Sequence, residues 1–91
     1  MSDSQPYRLE LSEKAEAAFK RLDKPTAQRI SKRFNWLAAH AETYPHVALK
    51  GQWSGYYRFR IGNYRAIYRI ALDERVIIVE KLGHRRDIYA E

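Results

Sequence analysis

Tyr57-Arg58-Phe59-Arg60-Ile61-Gly62-Asn63-Tyr64-Arg65-Ala66-Ile67-Tyr68-Arg69-Ile70 is the stretch whose reading decides the fold. Gly-Asn between two alternating runs signals a two-residue hairpin, because a glycine in first place supplies the positive φ of a type II′ turn. So short a loop also sets the register: Ile61 pairs with Tyr64, Arg60 with Arg65, Phe59 with Ala66, Arg58 with Ile67 and Tyr57 with Tyr68. Side chains alternate along a strand, so Tyr57, Phe59, Ile61, Tyr64, Ala66, Tyr68 and Ile70 share one face while Arg58, Arg60, Arg65 and Arg69 share the other. One face is core and the other is cationic.

Outward from this hairpin the pattern defines strands over 56–61, 64–70 and 76–82, the last central because Val76-Ile77-Ile78-Val79 is apolar on both faces. Upstream, Glu42 to Gly51 reads as a loop. Ala27, Ile30, Phe34, Leu37 and Ala41 keep helical spacing after Asp23-Lys24-Pro25, predicting a helix that ends near Ala41 or Glu42, before Pro45. Ala15, Ala18, Phe19 and Leu22 mark an earlier helix capped by Ser12, and Tyr7-Arg8-Leu9-Glu10-Leu11 alternates as a short strand. The order β-α-α-β-β-β is α+β, with a helical hairpin packed on the apolar face of the sheet. One domain is expected over residues 1–91, with 1–6 flexible.

The 91 residues include 17 Lys and Arg against 11 Asp and Glu, a net charge of +6 that favours anionic partners. Forty-five per cent apolar residues, with two Trp, seven Tyr and three Phe, suffice for a core and argue against a disordered basic tail. The absence of cysteine excludes a disulfide scaffold, a thiolate nucleophile and a Cys-type zinc site. His40, His46 and His84 have no metal-motif spacing, so no metal or cofactor is expected. No apolar run approaches the ~20 residues of a membrane span, and residues 1–6 lack a signal-peptide pattern; the expected location is the cytoplasm.

Residues 51–72 hold four arginines and no Asp or Glu, whereas an ordinary solvent face mixes both signs. Arginine binds phosphate oxygens through a planar fork and keeps its charge, so this face is a candidate phosphate site. A second basic stripe, Arg29, Lys32, Arg33, Trp36 and His40, follows helical spacing. Most such stripes are solvated faces, and only Trp36 points to a partner. Trp53, beside Gly51 and Gly55, reads as a loop anchor.

After the central strand come Gly83-His84-Arg85-Arg86-Asp87-Ile88-Tyr89, which bring donors and proton-exchanging groups beside the arginines. With Leu49-Lys50-Gly51, the segment from Tyr57 to Tyr68, and Val76 to Val79, the chain resembles the RelE/ParE superfamily of toxins from toxin–antitoxin pairs over almost its whole length. The resemblance implies a helical hairpin on a small, curved, mostly antiparallel sheet. It also implies an mRNA interferase that enters the ribosomal A site and cuts the message without a metal, the 2′-hydroxyl attacking the adjacent phosphate. Carried over by position, Arg65 resembles the arginine that stabilises the phosphorane, Arg85 the one near the leaving 5′-oxygen, and Tyr89 the tyrosine that stacks on the base. Arg58 and Arg60 fall where such toxins carry two basic residues, and Arg69, Lys50 and Arg86 are further candidate RNA contacts.

Well-known members carry lysines where this chain has Arg58 and Arg60, and arginine is a poor proton shuttle. His84 and Tyr89 are therefore the titratable candidates, with a turn histidine bonded to backbone as the structural alternative for His84. Arg86 and Asp87 read as a local ion pair. The resemblance implies a cognate antitoxin, in a toxin–antitoxin hetero-oligomer, beside the ribosome and mRNA; the alternative function within the superfamily is ParE-type, non-enzymatic inhibition of DNA gyrase.

Overall fold

The computed structural model describes residues 6–88. Strand β1 (Arg8–Leu11) runs into helix α1 (Glu13–Lys20), and helix α2 (Lys24–Ala39) follows. Next come β2 (Val47–Ala48), a 3₁₀ turn (Gly51–Trp53), β3 (Tyr57–Ile61), β4 (Tyr64–Ala71) and β5 (Val76–His84). The strands form one sheet in the order β1-β5-β4-β3-β2, antiparallel except for the β1–β5 pair. This is the expected α+β architecture, with β5 inside the sheet.

Local chemistry starts each helix. The Ser12 hydroxyl accepts from the Ala15 N–H at 3.1 Å and donates to the Glu80 carbonyl at 2.9 Å, so one side chain caps α1 and ties it to β5. Asp23 caps α2 by accepting from the Thr26 N–H and hydroxyl, with Pro25 tolerated in the first turn. Ile30, Phe34, Leu37 and Ala41 are buried as their spacing requires, against Phe59, Ile61, Ala66, Tyr68, Ile77, Val79 and Leu82 of the sheet. The hairpin register is the one that the two-residue loop dictates, from Tyr57–Tyr68 to Ile61–Tyr64, and Gly62 has φ +57°.

The expected loop over 42–51 contains β2, which pairs Val47 with Arg58 and Ala48 with Tyr57. Two residues are too few for any periodicity to register; the edge of β3 creates this strand. Helix α2 stops at Ala39, a little short of its expected end, with His40 as its C-cap.

The fully buried Tyr68 is held from this loop. His46 Nε2 donates to the Ala41 carbonyl at 2.8 Å, which leaves Nδ1 to accept the Tyr68 hydroxyl proton. Burial, and then the nearby Tyr44 and Tyr57, push the acid dissociation of Tyr68 well above its ordinary value. Because its folded pKa is raised, stability from this group is fully present below the unfolded tyrosine value of ~10 and is lost as pH rises beyond it. Tyr68→Phe should cost about 1–2 kcal/mol at neutral pH through the orphaned imidazole nitrogen. The same substitution should flatten the fall of Tm above pH ~10; thermal denaturation between pH 7 and 12 reads both effects.

Candidate functional site

The register places Arg58, Arg60, Arg65 and Arg69 on the sheet face turned away from the helices, with Arg60 directly opposite Arg65. Like charges so close repel, and the structure answers by sequestering one of them. Arg65 is only 9% exposed, and its Nη1 donates to the carbonyls of Gly62 and Tyr64, each at 3.0 Å. Two aligned carbonyl dipoles offset part of the cost of burying a guanidinium and fix its direction. Arg60 stays exposed and Arg58 is half-buried. This face is therefore not open along its whole length: Arg65 is buried on it, and so, completely, is Ile67.

A β-bulge brings two further charges to the same face. Ile67 pairs with Lys81 whereas Tyr68 pairs with Val79, so Glu80 is the extra residue of β5. In an unbroken strand Lys81 would share the helix-facing side of Ile77 and Val79, and Leu82 would face the arginines. The bulge reverses that parity, sending Leu82 into the core and Lys81 to the arginine face. Glu80 pairs with Arg69, Oε2 to Nε at 2.9 Å. Arg69 is thus matched by a carboxylate from outside the acid-free 51–72 segment. The signal for both residues was in the sequence: Val79-Glu80-Lys81-Leu82 spaces its two apolar residues three apart, which a regular half-buried strand cannot accommodate. Trp53 of the 3₁₀ turn stands by the ammonium, its ring centroid 5.5 Å from Lys81 Nζ.

The segment after β5 lies against the hairpin turn. Gly83 pairs with Arg65, and the Arg85 N–H donates to the Asn63 carbonyl at 2.7 Å, which carries the exposed Arg85 to the end of the arginine face. His84 does not join them. It pairs with Tyr64 and meets its ring edge-on, 5.6 Å between centroids, on the helix side of the sheet. Its Nδ1 accepts from the Arg86 N–H at 3.3 Å, the turn-histidine arrangement. Arg86 and Asp87 are exposed and, among the described residues, form no ion pair with each other; the Asp87 N–H closes a turn onto the His84 carbonyl. Lys50 is exposed at the start of the 3₁₀ turn. Tyr89 lies outside the described residues.

On α2, Trp36 is accounted for within the fold. It stacks on His40 at 4.3 Å, lies parallel to the buried Phe59 at 6.4 Å and carries Arg33 over its ring at 4.8 Å. The one residue of that stripe that pointed to a partner is thus used internally. Among the described residues no helix is long and apolar enough to cross a membrane, and no group of three or more His, Cys, Asp or Glu could hold a metal ion.

A small α+β domain that gathers cations on the helix-free face of its sheet is the class this geometry defines. The sequence matches the family described as the ParE toxin of the type II toxin–antitoxin system, parDE, over residues 9–89. The chain belongs to that family, within the RelE/ParE superfamily of toxins. No curated protein matches it. Among solved structures it is similar to the toxin–antitoxin complex RelBE2 from Mycobacterium tuberculosis, at 22% identity and a TM-score of 0.78, with 90% of this chain and 94% of that one covered. It is also similar to the archaeal RelE–RelB complex from Pyrococcus horikoshii, at 27% identity and a TM-score of 0.71 over 91% of this chain and 99% of that one. The isolated RelE toxin of Escherichia coli shares the fold at 19% identity and a TM-score of 0.70, covering 86% and 83% of the two chains.

Proposed function

We propose that this toxin is a ribosome-dependent endoribonuclease that cuts mRNA in the A site. The observation that carries the reading is the convergence of Arg58, Arg60 and Arg65 on one sheet face, with Arg65 aimed by two carbonyls and the Arg85 segment bonded to the same hairpin turn. Cleavage by the 2′-hydroxyl passes through a phosphorane with extra negative charge, and fixed cations lower its energy without reorganising as the charge develops. In this reading Arg65 stabilises the phosphorane, Arg85 the leaving 5′-oxygen, and Arg58 and Arg60 hold flanking phosphates. Tyr89 stacks on the base; Lys50 and Arg86 extend the RNA contact. The products are a cyclic phosphate and a 5′-hydroxyl.

An antitoxin is the proposed protein partner, since the similar RelBE2 structure is a toxin–antitoxin complex and the similar archaeal RelE is bound to RelB. A net acidic antitoxin suits a chain of charge +6. Membership of the ParE toxin family keeps one second reading, the ParE-type one; its proposed activity is non-enzymatic inhibition of DNA gyrase through a protein-binding surface. Primer extension on a defined mRNA, with and without ribosomes, separates the two when run beside a gyrase supercoiling assay. Ribosome-dependent cuts with unimpaired supercoiling are the expected result; arrested gyrase with intact transcripts overturns the nuclease.

A further inference from the structure

We propose that Lys81 is the catalytic proton donor of this site, an inference that rests on the nuclease reading. Attack of the 2′-oxygen forms a P–O2′ bond as the P–O5′ bond breaks, and the departing 5′-oxygen needs a proton. Arginine carries charge but does not exchange protons near neutrality. On the arginine face, among the described residues, Glu80 is engaged by Arg69, and His84 is turned to the helix side. Lysine, unlike arginine, is a side chain that serves as a general acid, and Lys81 is the lysine that the bulge sends to this face.

Its place suits that role. Arg65 pairs with Gly83, so Lys81, two residues back on β5, is the diagonal neighbour of Arg65. Such Cα atoms lie about 7–8 Å apart, within reach of long side chains. The groups facing Lys81 from the elements around it are Arg58 on β3, Arg65 and Arg69 on β4, Glu80 on β5 and the ring of Trp53. The indole keeps the ammonium on this side of the sheet. The bulge is what makes the residue available, since regular alternation would have aimed it at the core. In the step itself the ammonium proton goes to the 5′-oxygen, the 2′-hydroxyl proton leaves to water, and the amine regains a proton from water. No oxidant or cofactor is needed.

The test compares single-turnover cleavage of a ribosome-bound message by the wild type, Lys81→Ala and Lys81→Arg. It is repeated on a message whose scissile bridging 5′-oxygen is replaced by sulfur, because a thiolate leaves without protonation. General acid catalysis is worth about 10²–10⁴-fold. Both variants should therefore lose roughly 10²-fold or more on the ordinary message, and should match the wild type on the sulfur-bridged one. A purely structural or electrostatic role would not give that rescue. Wild-type cleavage with an undiminished Lys81→Arg rate, or with variants that sulfur fails to rescue, overturns the assignment of Lys81 and leaves the nuclease standing. A wild type that cuts neither message overturns both.

Discussion

Arg65→Ala should abolish growth inhibition in cells expressing the protein, and should lower the cleavage rate on ribosomes by about 10²–10³-fold, the usual cost of one preorganised charge-stabilising donor. The expectation rests on where this guanidinium is held. Its Nη1 is fixed by the Gly62 and Tyr64 carbonyls, and Arg60 lies opposite on β3. A cation aimed in advance need not reorganise when the phosphorane forms. Arg65→Lys is the informative control: it keeps the charge but not the planar fork, so its rate should lie between those of the wild type and the alanine variant. Because Arg65 is buried, each variant needs its melting curve measured. A folded Arg65→Ala protein that still inhibits growth would remove Arg65 from the mechanism.

The largest effect on stability should come from Phe59→Ala. Phe59 is 1% exposed on β3, lies parallel to Trp36 and meets the ring of Tyr44 edge-on at 5.7 Å. It also sits under the Arg33 guanidinium, 5.3 Å from its ring. Truncating a buried phenylalanine costs about 3–5 kcal/mol. A domain of this size has roughly 5–15 kcal/mol in total and loses about 4–8 °C of Tm per kcal/mol. Thermal denaturation should show a fall of some tens of degrees, and growth inhibition should weaken without any change at the arginine face. A Tm within a few degrees of the wild type would mean that the Trp36–Tyr44–Phe59 cluster is not part of the cooperative core.

The hairpin was legible because Gly62-Asn63 is short: a two-residue loop leaves one register, and that register sorts apolar from basic side chains by itself. The helices were legible because Ser12, Asp23 and Pro25 mark their starts and the apolar spacing marks their buried faces. Strand β2 was not, since Val47 and Ala48 carry no pattern and pair only because β3 offers them an edge. His84 could be located in the segment but not oriented, because its face depends on pairing with Tyr64 across the sheet.

By itself the sequence determined the element order, the register of the central hairpin and the concentration of arginines on one of its faces, all consequences of local periodicity and turn length. The tertiary structure alone decided which cations are exposed, buried or paired. Arg65 is sequestered, Arg69 is matched by Glu80, and Lys81 is delivered to the arginine face by a bulge in β5. The physical reason is that charge pairing and strand parity depend on the neighbouring strand, and residues 65 and 81 become neighbours only when the sheet closes.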